Sequence, residues 1–180
     1  MQIEESKLKG LFIIEPEVYL DKRGFFFESF RQDLLAKNGV RCNFVQDNHS
    51  RSVKGVLRGL HYQVEPVAMD KLVRAVVGEI FDVAVDIRRD SLTFGQWHGE
   101  RLSAENKKQL FIPKGFAHGF CVLSEVAEME YKCSAYYRPD LERGIAWNDS
   151  SVSVYWPCQS PILSEKDQKL PLLKEQKDLF

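Results

Sequence analysis

Hydrophobic and polar residues alternate with a period of two along much of the chain, which is typical of β-strands. The alternation is clearest in Ile80–Ile87, where the odd positions are apolar and the even positions include Asp82 and Asp86. Leu72–Val77 and the turn at Gly78 precede it, so the two segments together predict a β-hairpin. Further strands are predicted at Leu11–Ile14, Gly24–Phe30, Phe44–Asp47, Gly55–Gln63, Gln96–Leu102, Gln109–Ile112, Gly119–Leu123 and Ala127–Cys133.

Helical patterns are few and short. Arg31–Asn38, followed by Gly39, predicts one short helix, and Ser164–Lys169, followed by Pro171, predicts another. Ser103–Asn106 predicts a turn or a single helical turn. Many short strands separated by frequent turns indicate an all-β sandwich, barrel or jelly roll, formed here as a single domain over residues 1–180. A small barrel of this kind encloses one cavity of ligand size.

Composition narrows the class of protein. The chain has 180 residues, 44% of them hydrophobic and 28% charged, as in ordinary globular domains. Its net charge of −1 argues against binding to nucleic acid or to an anionic membrane surface. No apolar run is long enough to span a bilayer, and the acidic start is unlike a signal peptide, so a cytoplasmic protein is expected. The four cysteines lack Cys-x-x-Cys spacing, which indicates free thiols in a reducing compartment.

The strand Gly55–Gln63 carries the most informative chemistry. His61 can move a proton near neutral pH, and Arg58 can hold a phosphate or a carboxylate. Simple alternation places these two side chains on opposite faces, because three is an odd spacing. Both can line one cavity only if Gly59 marks a bulge or if the strand lies at the cavity's edge.

A second histidine lies in a Pro-x-Gly-x-x-His motif, Pro113–His118, which matches the second half-motif of cupin jelly rolls. In metal-binding cupins an upstream His-x-His pair and a glutamate complete the metal site. Here the upstream pair is His61 and Gln63, and two histidines without the third ligand suit Zn²⁺ or Fe²⁺ poorly. The motif therefore supports the barrel, and no metal is expected.

Other polar residues have ordinary structural interpretations when taken singly. His98 is expected at the surface, and His49 in a solvated polar loop. Lys71 stands at the start of a strand, where it would be solvated, and Tyr131 is a mid-strand packing residue unless it donates a proton opposite a base. Asp167 would be a carboxylate on a helix surface.

Taken together, several strings of residues resemble the dTDP-4-dehydrorhamnose 3,5-epimerase family, in order from Gly10 to Leu173. They are Val45–Ser50, Gly55–Gln63, Lys71–Arg74, Phe81–Arg88, Ile112–Phe120 and Leu163–Asp167. The resemblance implies a cupin-like jelly roll that works as a homodimer. It also implies a dTDP-linked 4-keto-6-deoxy sugar as substrate and no metal or organic cofactor.

The resemblance also implies residue roles. His61 corresponds to the general base, Tyr131 to the general acid on the opposite face of the sugar, and Asp167 to the carboxylate that orients His61. Lys71 corresponds to the cation near the 4-keto oxygen. Residues expected to contact the nucleotide-sugar are Arg23, Glu28, Gln46, Asn48, Arg58, His118, Glu142 and Lys166. Arg23 and Arg58 would bind the diphosphate, with the Arg23–Glu28 strand reaching into the partner's site.

Alternatives stay open at this point. A relative that inverts only C3, or that acts on a different dTDP-keto-sugar, would use the same base and acid. A non-catalytic cupin would bind the nucleotide-sugar without reaction, and a metal-dependent cupin oxygenase or isomerase is the third alternative. The thymine could stack on Tyr136, Tyr137 or the Phe25–Phe27 cluster, or these rings could simply pack in the core. Asp70 departs from the family pattern, where a glycine precedes the lysine, and its charge is expected to weaken the field of Lys71 slightly.

Overall fold

Thirteen antiparallel strands form two facing sheets and a separate hairpin in the computed structural model, which describes residues 1–180. The strands are β1 Gln2–Glu5, β2 Phe12–Glu15, β3 Val18–Asp21, β4 Gly24–Phe27, β5 Gln46–Val53, β6 Leu57–Gln63, β7 Lys71–Val77, β8 Glu79–Asp86, β9 Trp97–Ser103, β10 Gln109–Ile112, β11 Phe116–Val122, β12 Val126–Cys133 and β13 Glu142–Gly144. The helix α1 is Gln32–Lys37, and three 3₁₀ turns are Pro139–Leu141, Asp167–Lys169 and Leu173–Glu175.

The larger sheet has the order β1-β2-β10-β7-β12-β5, and the smaller sheet has the order β13-β6-β11-β8-β9. β3 and β4 pair only with each other. Two facing antiparallel sheets with peripheral helical turns confirm the predicted cupin-like jelly roll. No helix of the structure combines the length and the apolar character that crossing a membrane requires.

Apolar side chains fill the space between the sheets and also cover the outside of the smaller sheet. The inner cluster includes Val73, Leu110 and Phe120, and the outer cluster includes Leu60 and Val83. Both faces of the smaller sheet are therefore buried, and each large side chain removed from water contributes about 1.5–3 kcal/mol. The ends of the inner space, which the apolar cluster does not fill, are available for polar groups.

The predicted hairpin over Leu72–Val77 and Ile80–Ile87 is wrong. β7 pairs with β10 and β12 in the larger sheet, whereas β8 pairs with β11 and β9 in the smaller one. The turn at Gly78 has φ +69° and carries the chain across from one sheet to the other, where a side chain would collide with the Val126 carbonyl. Apolar periodicity locates the strands but does not identify their partners.

The alternation within β8 is confirmed, although both of its faces are buried. Val83 and Val85 pack in the outer cluster, while Ala84 packs in the inner one. Asp82 and Asp86 lie on the inner face and are completely buried. Polar residues in an alternating strand usually face water, so their burial is unusual and calls for partners inside the protein.

Two histidines differ from expectation. His49 lies in the middle of β5, not in a loop, because this strand continues from Gln46 to Val53. Its periodicity is hidden because both faces are polar: one faces the space between the sheets, and the other makes polar contacts such as His49 Nε2 with Glu128 Oε2 at 2.9 Å. His98 is only 25% exposed in its side chain, so the surface prediction is also wrong.

The remaining differences concern short elements. The strands β1, β3 and β13 have three or four residues each and were not predicted. The helix predicted at Ser164–Lys169 is a single 3₁₀ turn, in which the Asp167 N–H donates to Ser164 Oγ at 3.1 Å. The helix predicted at Arg31–Asn38 is α1. All four cysteines are free thiols, as expected.

Candidate active site

A bulge in β6 turns Arg58 and His61 toward the same side of the sheet. His118 of β11 pairs with His61 and Phe120 pairs with Arg58, so one residue of β11 lies opposite two of β6 between these pairs. Gly59 supplies the irregular backbone with φ +119°, and a Cβ there would lie 2.6 Å from Gly119 Cα. Only glycine tolerates this combination of conformation and close approach. The first of the two predicted solutions, a bulge at Gly59, is confirmed.

The bulged strand borders a cavity of about 480 Å³ between the two sheets, which adjoins a second cavity of about 320 Å³. His61, Lys71, Tyr131 and Lys166 line both, so the two form one continuous cleft. All predicted site residues except Arg23 and Glu28 line this cleft: His61, Lys71, Tyr131, Asp167, Gln46, Asn48, Arg58, His118, Glu142 and Lys166. Residues far apart in sequence thus converge on one site.

His61 is held by Asp167 on the smaller-sheet side of the cleft. The distance from His61 Nε2 to Asp167 Oδ1 is 2.6 Å, and Asp167 is buried. Burial opposes ionisation of Asp167, but the hydrogen bonds from His61 and from the Gly59 N–H outweigh it and hold the pKa of this carboxyl below its usual value. Since the carboxylate only accepts, His61 carries its proton on Nε2 and keeps Nδ1 as a base.

Tyr131 and Lys71 project from β12 and β7 of the opposite, larger sheet. Burial raises the pKa of Tyr131, with smaller contributions from Cys133 and Glu142, and Arg58 opposes the shift. The phenol therefore keeps its proton near neutral pH and can act as an acid. Burial lowers the pKa of Lys71, and the charges of Asp82 and Glu142 counteract this effect.

Glu142 connects polar groups in the smaller of the two cavities. Its Oε2 accepts a hydrogen bond from Tyr137 Oη at 2.6 Å and another from Lys166 Nζ, and its Oε1 lies 3.8 Å from His61 Nδ1. Burial opposes its ionisation, yet these hydrogen bonds keep the pKa of Glu142 below its usual value. The bond to Glu142 also raises the pKa of Tyr137 to about 12. The Glu142 carboxylate thus holds the side chains of Lys166 and Tyr137 in place.

The amide side chains of β5 complete the polar wall. Gln46 Nε2 donates to Asn48 Oδ1 at 3.1 Å, and Gln46 Oε1 accepts from the Tyr137 N–H at 3.0 Å. Of the candidate aromatic residues, Tyr137 lines the cleft, whereas Tyr136 and Phe25 do not. The sequence pattern did not separate these candidates, because tyrosines occur as often in packing as in binding.

Arg23 and Glu28 lie outside the cleft of their own chain. Arg23 stands at the tip of the β3–β4 hairpin, where its side chain is 84% exposed and pairs with Asp21. Glu28 pairs with Arg31. Neither residue contributes to this cleft within a single chain.

Two further side chains are placed differently from simple expectation. Gln63, at the position of a metal-binding histidine in other cupins, uses both ends of its amide on the Arg138 backbone, at 2.7 and 2.8 Å. Asp70 turns toward the backbone of Lys114, whose N–H donates to Asp70 Oδ1 at 2.9 Å, and it does not line the cleft. The weakening effect of Asp70 on Lys71 is therefore not supported.

Asp82 lies directly behind the cleft, against His118, and has no role in the sequence-based assignment. Its carboxylate contacts His118 Nε2 at 2.9 and 3.1 Å. The alternation in β8 places Asp82 opposite the apolar face, which is the pattern of a solvent-facing residue. Only the second sheet, which covers this face, reveals that the carboxylate points inward.

Comparison with known proteins agrees with this geometry. The family model described as dTDP-4-dehydrorhamnose 3,5-epimerase matches residues 5–175. A Shigella flexneri protein named dTDP-4-dehydrorhamnose 3,5-epimerase is 58% identical over 168 residues, covering 93% of each chain. A Streptomyces niveus protein named dTDP-4-dehydrorhamnose 3-epimerase is 36% identical, covering 99% of this chain and 86% of its own.

Solved structures agree as well. The crystal structure of dTDP-6-deoxy-D-glucose-3,5-epimerase from Legionella pneumophila, in complex with dTDP-4-keto-L-rhamnose, superposes with a TM-score of 0.93 at 51% identity. The match covers 97% of this chain and 93% of that one. With the motifs, the fold, the cleft and these matches in agreement, the chain belongs to the dTDP-4-dehydrorhamnose 3,5-epimerase family.

Proposed function

We propose that this protein is an isomerase that inverts C3 and C5 of dTDP-4-dehydro-6-deoxy-D-glucose to give dTDP-4-dehydro-L-rhamnose. The observation that carries the proposal is the placement of His61 and Tyr131 on opposite walls of one cleft. Inversion at a carbon requires a proton to leave one face and another to arrive on the opposite face. A base with a carboxylate partner and a protonated phenol across the cleft meet this requirement.

The chemistry begins at the carbons beside the C4 ketone. His61 Nδ1 takes the proton from C3 or C5, and the electron pair of the broken C–H bond moves to O4 as an enolate. Asp167 stabilises the imidazolium that forms, as the carboxylate does in other His–carboxylate pairs. Tyr131 then donates its proton to the carbon from the other face. Solvent removes the proton from His61 and restores that of Tyr131.

Lys71 is the group that stabilises the enolate oxygen. Its side chain lies in a partly dry cleft, where a positive charge interacts more strongly than in water. Losing one such donor typically costs about 3 kcal/mol of transition-state stabilisation. The proposed steps are proton transfers between side chains and substrate, so no metal or organic cofactor takes part in them.

Inversion at both carbons is favoured because the relatives with the higher sequence identity are named 3,5-epimerases. Proteins between 53% and 58% identical from Shigella, Pseudomonas, Salmonella and Escherichia are named 3,5-epimerases, whereas the Streptomyces niveus 3-epimerase is 36% identical. We test this by incubating the protein with the dTDP-4-keto-6-deoxyglucose substrate in D₂O and following the sugar by NMR. Deuterium at both C3 and C5 supports the proposal. Deuterium at C3 alone indicates a 3-epimerase, and binding without exchange indicates a non-catalytic nucleotide-sugar-binding cupin.

We also propose that the working form is a homodimer in which the β3–β4 hairpin of one subunit completes the cleft of the other. The hairpin pairs with no other strand and exposes Tyr19, Leu20, Phe25 and Phe26 by 54–79%. A two-stranded hairpin with exposed aromatic rings is marginally stable alone and marks an interaction surface. Such an exchange would bring Arg23 and Glu28 to the diphosphate end of the partner's cleft, near Arg58.

The cytoplasm remains the expected location. All four cysteines are free, which suits a reducing compartment.

A further inference from the structure

Asp82 is a completely buried carboxylate that lies behind His118, a residue that lines the cleft. It projects from the inner face of β8 between Ile80 and Ala84, which belong to the apolar core. The only hydrogen bonds of its carboxylate within the chain come from His118 Nε2, at 2.9 and 3.1 Å. Burying a charge without a direct cationic partner is costly, so a purely structural role would be served as well by an apolar residue.

The contact determines the tautomer of His118. A carboxylate only accepts hydrogen bonds, so His118 Nε2 must carry a proton. Burial lowers the pKa of His118, and Asp82 opposes this shift without overcoming it, so the ring is neutral at physiological pH. The Nδ1 atom is then an unprotonated acceptor. It takes no hydrogen bond from the chain, and the ring lines the cleft.

Lys71 faces His118 across this part of the cleft and forms no hydrogen bond or ion pair within the chain. The other titratable groups that act on Lys71 or share its cleft are His61, Arg58 and Tyr62 on β6, Asp82 on β8, His118 on β11, Tyr131 and Cys133 on β12, Tyr137 after β12, Glu142 on β13, and Lys166 and Asp167 in the C-terminal segment.

Among these groups, Asp82 is the carboxylate that is not already paired with Lys166 or with His61. Burial raises the pKa of Cys133, which keeps it a neutral thiol. Glu142 already binds Lys166, and Asp167 already binds His61. The Asp82 charge is therefore left to act on His118 and, through it, on Lys71.

We propose that Asp82 is a positioning residue of the reaction, which fixes His118 as the Nε2–H tautomer and balances the charge of the Lys71 ammonium at the enolate oxygen. This inference rests on the proposed function for its kinetic consequences, although the tautomer does not depend on it. His118 Nδ1 is then free to accept a hydrogen bond from a sugar hydroxyl. The same buried carboxylate thus acts on both His118 and Lys71.

The test compares Asp82→Asn with Asp86→Asn. Asp86 lies on the same face of β8, is equally buried and binds Arg88, Ser91 and Thr93 away from the cleft, so it is a matched structural control. Removing the Asp82 charge leaves the buried Lys71 less able to hold its proton. We expect kcat of Asp82→Asn to fall about tenfold or more, with KM within about threefold of wild type. The alkaline limb of its kcat profile should move to lower pH by about half a unit or more.

Asp86→Asn should lower the melting temperature and leave that alkaline limb where it is in the wild type. A merely structural role for Asp82 would give the same outcome for both variants, with melting temperatures lowered and pH profiles unmoved, and would overturn the proposal. Asp82→Glu retains the charge and should recover the wild-type position of the alkaline limb.

The tautomer is tested separately on the unaltered protein. Two-bond ¹H–¹⁵N correlation spectra should show His118 protonated at Nε2 and bare at Nδ1, with assignment by a His118→Asn variant. A wild-type His118 protonated at Nδ1 would overturn the proposal even if Asp82→Asn fails to fold. Absence of deuterium exchange by the wild type would instead contradict the proposed function, so the two failures are distinguishable.

Discussion

At the scale of single residues, the site depends on the sheet that each side chain comes from. His61 projects from the smaller sheet and Tyr131 from the larger, which separates the proposed base from the proposed acid by the width of the cleft. Sequence spacing alone placed Arg58 and His61 on opposite faces. The bulge at Gly59 reverses this, and the glycine was the only local indication of it. Asp82 escaped notice because a buried carboxylate has the same sequence pattern as a solvated one.

Tyr131→Phe should separate proton loss from inversion. The base can still remove the proton, so deuterium exchange continues, whereas inversion slows by about 10²–10⁴-fold because the opposite face has no donor. NMR in D₂O measures both rates in one sample. Arg58→Ala is the matched contrast, since Arg58 is proposed to bind the diphosphate and its loss should chiefly raise KM. Equal loss of exchange and inversion in Tyr131→Phe would remove the phenol from its assigned role.

At the scale of elements, strands were predicted better than their partners. The strand at Gln109–Ile112 has the predicted bounds, and Val126–Cys133 begins one residue earlier than predicted. The hairpin over β7 and β8 was wrong because a glycine turn between two apolar strands looks the same whether the chain returns in one sheet or crosses to another. β5 was predicted too short because its inner face is polar, and that face lines the cleft. The polar residues of β5 that line the cleft therefore hid the alternation of apolar and polar residues expected of a strand.

Asp86 fixes the end of β8, and its contribution to stability depends on pH. Hydrogen bonds from Arg88, Ser91 and Thr93 outweigh burial and lower the pKa of Asp86 to about 2. The folded state therefore favours the ionised form, a stabilisation that is present above the unfolded pKa and is lost as pH falls toward 2. Asp86→Asn should lower the free energy of unfolding by about 2 kcal/mol at neutral pH.

Urea unfolding of wild type and Asp86→Asn between neutral pH and about pH 3 measures this difference. The gap between the two proteins should narrow below about pH 4 as the carboxylate of the wild type becomes protonated. A gap that stays constant over this range would show that Asp86 acts by packing and not by charge.

At the scale of the whole molecule, the jelly roll could be predicted, because many short strands with a cupin half-motif have few other solutions. Whether Arg23 and Glu28 join the site could not be predicted, since both residues lie outside the cleft of their own chain. The exposed aromatic hairpin is the structural feature that points to a second copy.

Complementation tests the exchange of hairpins. Arg23→Ala and His61→Ala chains should each be nearly inactive alone. If Arg23 serves the partner's site, a mixed dimer regains one intact site out of two, so co-expression should restore about a quarter of wild-type activity. Light scattering checks that both variants remain dimers. Dimers that form but show no recovery would place Arg23 in its own chain's site or in none.

His61 is proposed as the base for both carbons, and deuterium exchange by His61→Ala shows whether it has this role. The variant should fold with a melting temperature close to that of the wild type, because His61 lies in the wall of the cleft and not in the apolar core. It should still bind the nucleotide-sugar through the remaining side chains. His61→Ala should lose solvent deuterium uptake at both C3 and C5. Substantial exchange at both carbons in a folded, substrate-binding His61→Ala protein would contradict it.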